Sequence, residues 1–397
     1  MIIGVTACST STAGNSDEIK LGLLTSVTGG LASLFGQDTV NGAEARIKLA
    51  NDTDELSGIT LSLAVSDDHS DPNQSLGGVQ QLVDKEKVFA VLAGGAYFFN
   101  GYRYTTQKNV PAVGMGFDGP QWSDDKNSNL FAVFGTVDPN FPDFTGLGDY
   151  FKSKGGTKAC GLSFAGVPQS GAGLRSEVGS ARLAGLETPY VNTEVPAGST
   201  DFTAISLAMK SAGCDVLISG MGAVASNVAL LQAVKNAGIE LKASYINAGY
   251  TQSILDDPAS LAVSDGVGFG TGYQPATLQS PATKKVMDAL SRYANWNSPN
   301  PTTGQMFGWL TADLAINGIK VAGPKPTQQS FIESLRKVTD YTADGLMCPV
   351  DLSSWGRYIS GLPGDCTWIA EVQDKQFVSL TGEEPVRIST IPGTSNN

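Results

Sequence analysis

Apolar residues along this chain fall into two alternating patterns. Short continuous runs such as "IKLGLLTSV", "ITLSLAVSDD", "VFAVLAGG" and "PAVGMG" are typical of buried strands. Between them, "TVNGAEARIKLAND", "PNQSLGGVQQLVDKEK" and "YFFNGYRYTTQKN" repeat apolar residues at helical spacing. Strands that alternate with helices of about ten or more residues predict a parallel sheet with helices on both faces.

The same alternation starts again after "FGTVDPNFP". Strand-like runs "KACGLSFAG", "YVNTEVPA", "DVLISGM" and "KASYINAG" are separated by helical stretches, which predicts a second doubly wound half. Further amphipathic helices follow, and the tail "TWIAEVQDKQFVSLTG" alternates apolar and polar residues around Asp374 and Lys375, as a hairpin does. The predicted fold class is therefore α/β, with two doubly wound parallel-sheet lobes.

The composition narrows the choice of function. Among 397 residues, 26 Lys and Arg against 38 Asp and Glu leave a net charge of −12, which argues against nucleic acid or an anionic membrane surface as the main partner. The single histidine, His69, argues against a Ser–His–Asp triad and a histidine metal site. No run approaches the ~18 apolar residues that a membrane-spanning helix needs. Because no pair of carboxylates stands out either, no enzyme is predicted.

A glycine-bearing loop, "TSVTGGLASLFGQD", joins the first strand to the first helix. Its glycines lack the G-x-G-x-x-G spacing of a dinucleotide site, and no Lys-Ser/Thr pair of a phosphate-binding loop follows. Thr25, Ser26, Thr28 and Ser33 instead place hydroxyl groups after a strand, where open α/β sheets bind ligands. We therefore expect a small polar or anionic ligand group at this loop, and no cofactor.

Several carboxylates and aromatic residues occupy turns. Asp67, Asp68 and Asp71 in "DDHSDP" lack the glycine and distal Glu of an EF-hand, so we interpret them as solvated turn acids and predict no metal site. Asp118 in "GMGFDGPQW" is either another solvated turn acid or the partner of a donor group on a ligand. The aromatic run Tyr97–Phe99 follows a strand directly, and it either packs in the core or faces a ligand.

Cys8 closes the tetrapeptide "VTAC", which resembles a bacterial lipobox, where the cysteine is lipidated and becomes the mature N-terminus. The preceding "MIIGVTA" has no basic segment and only a stub of the roughly 7–15-residue apolar region of a signal peptide. Either the true start lies upstream or the match is chance. We interpret residues 1–17 as a truncated signal, lipobox and flexible tether, so that membrane contact occurs only through the lipid.

Short motifs in a fixed order carry a family resemblance. "TSVTGGLASLFGQDTVNGAEARIKLAND" and "DDHSDPNQSLGGVQQLVDKEKVFAVLAGG" are followed by "KNVPAVGMG" and "VPAGSTDFTAISLAMKSAGCDVLISG". Together they resemble type I periplasmic solute-binding proteins of the leucine/isoleucine/valine-binding branch, which serve ABC importers. The similarity covers nearly all of residues 18–380.

The resemblance implies two lobes, joined by three crossovers, that trap a ligand between them. Lobe 1 would comprise residues 18–136 and 271–345, and lobe 2 residues 137–270 and 346–397. The crossovers would fall near Thr136–Pro139, Gly268–Tyr273 and Gly345–Leu352. The implied partners are a small-molecule ligand, an ABC permease and its ATPase subunits, and the protein would be an extracytoplasmic monomer.

The family's ligand contacts come from loops at strand ends and one late helix. Carried over to lobe 1, they are Phe35, Ala96, Tyr97, Phe98, Gly116, Phe117, Asp118 and Phe307. In lobe 2 they are Gln169, Ser170, Gly222, Ala223, Asn247 and Tyr250.

Two departures from the family pattern bear on the ligand. Members that bind amino acids have Ser or Thr after the glycine pair, where this chain has "AYFF", and an acidic residue near "NAGY", where none stands. We therefore expect a mostly apolar or aromatic small molecule, preferably a carboxylate, rather than a free zwitterionic amino acid. The alternative function is a ligand-sensing receptor that signals through a partner protein.

The remaining four cysteines are predicted to form two disulfides, which would imply an oxidising compartment. Cys348 and Cys366 would clamp the last crossover to the C-terminal hairpin. Cys160 and Cys214 lie near the starts of the first and third strands of lobe 2, which are neighbours in a doubly wound order. A distance above about 7 Å between the Cα atoms of either pair would rule that bond out.

Overall fold

The computed structural model describes residues 17–134, 144–165, 168–354 and 366–390. Cys8 and the predicted crossover at Thr136–Pro139 lie outside these ranges. The strands, in chain order, are β1 (Asp17–Thr25), β2 (Ile59–Asp67), β3 (Ala90–Ala93), β4 (Ala112–Gly114), β5 (Leu130–Ala132), β6 (Phe144–Thr145), β7 (Lys158–Phe164), β8 (Glu187–Val195), β9 (Val216–Ser219), β10 (Ala243–Ile246), β11 (Gly268–Thr271), β12 (Cys366–Gln373), β13 (Gln376–Ser379), β14 (Val386–Arg387) and β15 (Ser389–Thr390).

The helices lie between these strands, mostly one after each, as the alternating pattern predicts. They are α1 (Ala32–Phe35), α2 (Gln37–Asp52), α3 (Pro72–Gln80), α4 (Tyr102–Lys108), α5 (Leu147–Ser153), α6 (Pro168–Leu183), α7 (Thr203–Ala212), α8 (Val224–Asn236), α9 (Gln252–Asp256), α10 (Pro258–Ser264), α11 (Pro281–Ala294), α12 (Thr303–Ala322) and α13 (Gln328–Leu335). A π-helical turn extends α3, and short 3₁₀ turns occur at Phe98–Asn100, Pro120–Trp122, Ala276–Leu278 and Leu352–Ser354. No helix in the described ranges combines the length and the apolarity needed to cross a membrane.

The first sheet is parallel throughout, with the strand order β2-β1-β3-β4-β5. Leu21 and Leu23 of β1 are buried in one hydrophobic cluster and Leu24 in another, because successive side chains of a strand point to opposite faces. The strand order reverses direction between β1 and β3. In open α/β sheets this switch point opens a crevice at the carboxyl ends of the strands, so ligands are expected there.

The second sheet confirms the second predicted half. Strands β8, β7, β9, β10 and β11 are parallel, and β12 and β13 extend the sheet in the antiparallel sense. The predicted hairpin joins β12 to β13 through Asp374 and Lys375, whose φ angles are 49° and 66°. Two consecutive positive φ angles are typical of the type I′ turn, which matches the twist of a two-residue hairpin.

Helices α11 and α12 return from the second sheet to pack against α2 of the first sheet. A Cβ atom on Gly42 would lie 1.9 Å from the carbonyl oxygen of Gln305, and one on Gly308 would lie 1.9 Å from that of Thr39. Helices α2 and α12 therefore meet backbone to backbone, which only glycine permits. Thr302 and Gln305 form a capping box that fixes the start of α12 at this contact.

Both predicted disulfides are present. Cys160 and Cys214 have Cα atoms 5.8 Å apart and join the neighbouring strands β7 and β9 near their starts. Cys348 and Cys366 have Cα atoms 6.1 Å apart and tie the segment after α13 to the start of β12. The chain is therefore cross-linked where its last segment rejoins the second sheet.

Replacing Cys348 and Cys366 together by serine should lower the free energy of unfolding by ~3 kcal/mol, since the bond closes a loop of 18 residues. The Cys160–Cys214 bond closes a loop of 54 residues, so its loss should cost ~4 kcal/mol in the same chain-entropy account. Urea denaturation of the two double variants measures both values. Equal stability of the wild type under oxidising and reducing conditions would contradict the prediction.

Candidate functional site

The loops after β1 and β2 form a hydrogen-bonded unit at the switch point of the first sheet. The Asp68 carboxylate accepts from Ser26 Oγ at 2.6 Å and from the Ser70 amide at 2.9 Å. Its second oxygen, Oδ2, is buried and has no hydrogen-bond partner among the described residues. Burial raises the pKa of Asp68 above its ordinary value. The interpretation of Asp68 as a solvated turn acid is therefore wrong, because the loops close over it.

Three phenylalanines from distant parts of the sequence meet at this carboxyl edge. Phe35 ends α1, Phe117 follows β4 and Phe307 lies in the first turns of α12, and their ring centroids are 5.6–6.0 Å apart. Phe35 is buried, whereas Phe117 and Phe307 are partly exposed. Thr25 donates to the carbonyl oxygen of Phe35, which ties α1 to the end of β1. The structure thus brings together three of the predicted site residues.

The aromatic run after β3 divides between the core and the surface. Phe98 is buried against Trp122, with ring centroids 5.3 Å apart, and so does not join the phenylalanine cluster. Ala96 and Tyr97 are partly exposed, and Tyr97 meets Phe99 edge to face. Burial and the nearby Asp68 carboxylate raise the pKa of Tyr97. Of the three aromatic residues, Tyr97 is the one placed beside the switch-point loops.

Asp118 organises the loop that follows β4. Its buried carboxylate accepts from the Phe99 amide at 2.8 Å, from Gln121 Nε2 at 3.1 Å and from Trp122 Nε1. Burial raises its pKa to about 7. The interpretation of Asp118 as a solvated turn acid is wrong, because its oxygens bind donors within the protein. Gly116, with a φ angle of 90°, makes the turn that leads into this loop.

The carboxyl edge of the second sheet carries most of the other predicted site residues. Ser170, near the start of α6, donates to the carbonyl oxygen of Gly220 at 2.7 Å. This hydrogen bond connects the start of α6 to the loop after β9. Gly222 is exposed and Ala223 partly exposed at the start of α8. The side chain of Gln169 lies outside the described part of the structure.

Asn247 follows β10 and is exposed, and its Nδ2 donates to Glu177 Oε1 at 3.0 Å. Glu177 lies within α6 and is only 8% exposed, and its Oε2 has no partner among the described residues. Burial raises the pKa of Glu177 to about 8. The sequence analysis did not identify Glu177, although its position three residues after Leu174 and four before Ala181, on the buried face of α6, was a usable signal.

Tyr250 packs between Tyr273 and Phe377, and no ring contact in the described structure joins it to the three phenylalanines. Its hydroxyl accepts from the Ala276 amide at 2.7 Å and donates to Asn300 Oδ1 at 3.2 Å. Residues 276–300 lead into α11 and α12, which pack on α2 of the first sheet. The two hydrogen bonds of Tyr250 therefore connect the loop after β10 of the second sheet to the part of the chain that packs on the first sheet. Among the described residues, no cluster of His, Cys, Asp and Glu is arranged to hold a metal ion.

The family of periplasmic binding proteins matches residues 18–376. The Leu/Ile/Val-binding protein homolog 1 of Brucella abortus strain 2308 is 24% identical over 319 residues, which cover 79% of this chain and 81% of that protein.

Three solved structures have a similar fold. A branched-chain amino acid transporter substrate-binding protein from Streptococcus pneumoniae, in complex with isoleucine, has a TM-score of 0.73 at 18% identity and covers 94% of this chain and 100% of its own. A solute-binding protein of R. palustris with 4-hydroxybenzoate has a TM-score of 0.69 at 19% identity, over 94% and 97% of the two chains. Another from R. palustris, with benzoate, has a TM-score of 0.73 at 13% identity, over 96% and 99%.

The buried Glu177 predicts a pH-dependent stability. Its pKa rises from 4.5 to about 8 on folding, so between these values the unfolded chain loses a proton that the folded chain keeps. Its contribution to stability is thus fully present below pH 4.5 and falls as the pH rises towards 8, by at most about 1.4 kcal/mol per pH unit.

Urea denaturation of the wild type and of Glu177→Gln at a series of pH values measures this effect. As the pH rises from 5 to 8, the free energy of unfolding of the wild type should fall, whereas that of Glu177→Gln should not, because glutamine does not titrate. The variant should therefore gain stability relative to the wild type over this range. Glu187→Gln, which removes a carboxylate that is 69% exposed in the same sheet, is the matched control. A stability difference between Glu177→Gln and the wild type that does not change with pH would contradict the prediction.

Proposed function

Because this chain belongs to the periplasmic binding protein family, we propose that it is the extracytoplasmic solute-binding component of an ABC importer. It captures a small organic molecule between two lobes and delivers it to the permease, which works with ATPase subunits. Ligand contacts made only in the closed state favour closure, so binding shifts the population of the two states.

The proposed lobes are residues 18–136 with 271–345, and residues 137–270 with 346–397. The course of the chain supports this division. The first sheet ends at β5 and the second contains β7–β14, while α11, α12 and α13 return to the first. The two disulfides suit an oxidising compartment outside the cytoplasm, and Cys8 would supply a lipid anchor there.

The observation that carries the proposal is the cluster of Phe35, Phe117 and Phe307 at the carboxyl edge of the first sheet. Two of these rings are partly exposed although they are large and apolar. Aromatic faces in such a place exclude water and stack on a flat or apolar solute. The cluster therefore supports a ligand whose body is apolar or aromatic.

Backbone amides beside this cluster support an anionic end on the ligand. Within the described residues, the N–H groups of Ala96, Tyr97 and Phe117 donate to no hydrogen bond. Free amides at strand ends attract carboxylates. We therefore favour an apolar or aromatic carboxylate, as in the two neighbours that hold benzoate and 4-hydroxybenzoate, over an amino-acid-like ligand such as the isoleucine of the third.

Isothermal titration calorimetry with benzoate-like acids beside leucine, valine and phenylalanine tests the ligand class. We expect micromolar or tighter binding of at least one aromatic acid. The free amino acids should bind weakly, because burying an unpaired ammonium costs several kcal/mol. Micromolar binding of a plain aliphatic amino acid would refute the ligand class but would leave the importer function standing.

The Phe307→Ala variant should weaken binding of the preferred acid by roughly tenfold or more, because it removes one wall of the aromatic cluster. Tyr293→Ala is the matched control. The Tyr293 hydroxyl bonds Asp52 at 2.8 Å, at the opposite end of α2 from Phe35, about 24 Å along the helix. An equal loss of affinity in both variants would point to damage to the fold.

A further inference from the structure

A buried asparagine, Asn300, connects the linker between α11 and α12 to the segment that follows β10. Its Nδ2 donates to Gln252 Oε1 at 2.9 Å, and its Oδ1 accepts from the Tyr250 hydroxyl at 3.2 Å. The exposed fractions of Asn300, Gln252 and Tyr250 are 3%, 8% and 3%. Both hydrogen bonds are therefore shielded from water.

The linker that carries Asn300 belongs to the helices that pack on the first sheet. Helices α11 and α12 both pack against α2, and Thr302, two residues after Asn300, caps the start of α12. The Trp296 indole donates to the backbone carbonyl oxygen of Asn300 at 3.0 Å, which holds the linker in place. In the proposed division of the chain, Asn300 lies in lobe 1, whereas Tyr250 and Gln252 lie in lobe 2. The two hydrogen bonds therefore run from one lobe to the other.

Both partners of Asn300 also have a hydrogen bond that does not involve it. The Tyr250 hydroxyl accepts from the Ala276 amide at 2.7 Å, in the 3₁₀ turn that follows β11. Gln252 Nε2 donates to Asp256 Oδ1 at 2.9 Å within α9. Among the described residues, no other hydrogen bond reaches the Asn300 amide. Separation of the lobes would thus leave both partners anchored and would transfer only the Asn300 amide to water.

We propose that the Asn300 amide forms its two hydrogen bonds when the lobes close and exchanges them for bonds to water when the lobes open. Asn300 is thus a lock on the closed state. The proposal rests on the proposed function, in which the lobes close around a ligand. Because hydrogen bonds within a protein replace hydrogen bonds to water, the net gain from two of them is modest and the lock stays reversible.

The lock acts on affinity without touching the ligand. A protein whose binding-competent state is only partly populated binds with an affinity reduced by that fraction. Hydrogen bonds that form only in the closed state raise its population, so they strengthen the binding of every ligand by the same factor. A side chain that contacts the ligand changes the ratio of affinities between ligands instead. Asn300 is therefore a positioning residue.

Calorimetry with benzoate and 4-hydroxybenzoate tests this distinction. Asn300→Ala should weaken both acids by about tenfold and Gln252→Ala by less, because the first removes two hydrogen bonds and the second removes one. The affinity ratio of the two acids should keep its wild-type value. Gln232→Ala is the matched control, because Gln232 donates to Asn236 four residues later, as Gln252 does to Asp256, but on the exposed face of α8. Unchanged affinities in Asn300→Ala, or a changed ratio, would overturn the inference.

Single-molecule energy transfer between dyes on the two lobes tests the lock without a ligand, and it decides if neither acid binds. Ligand-free Asn300→Ala should have a closed-to-open ratio about tenfold below that of the wild type. An equal ratio would overturn the inference, even if the variant melted at a lower temperature. One fixed distance between the lobes in all samples would contradict lobe closure and hence the proposed function. If Asn300→Ala does not fold, Gln252→Ala decides, and an unchanged ratio in that variant would overturn the inference.

Discussion

The contact between α2 and α12 is the constraint on which the first lobe depends. Gly42 and Gly308 let the two helices meet backbone to backbone, so that a late helix completes a sheet built by the first third of the chain. The same contact carries Phe307 to Phe35, at a centroid distance of 6.0 Å. The aromatic part of the proposed binding surface therefore exists only when the two separate portions of this lobe are docked.

Much of the architecture could be predicted from the sequence because it depends on the local spacing of apolar and polar residues. Continuous apolar runs identified the strands, and polar residues around Asp374 and Lys375 identified the hairpin. The disulfide between Cys160 and Cys214 followed from the strand order that such patterns imply. Each of these inferences needs only the spacing of apolar residues along the chain and the rules of sheet topology.

The surroundings of single side chains could not be predicted in the same way. Asp68 and Asp118 occupy turns that would be solvated in isolation, and both are buried because distant loops close over them. Phe98 and Tyr97 are neighbours in sequence, yet one packs in the core and the other stays partly exposed. The pairing of Glu177 with Asn247, 70 residues away, could not be predicted from either segment alone. Burial of this kind depends on tertiary packing, which no local pattern records.

The interleaved course of the chain also determines when each lobe can be completed during synthesis. The strands of the first sheet are finished at Ala132, but α12, which covers them, begins only at Thr303. The second sheet lacks its last strands until Arg387 has been made. Neither sheet can therefore be completed until most of the chain has been made, so the last steps of folding come late for both lobes.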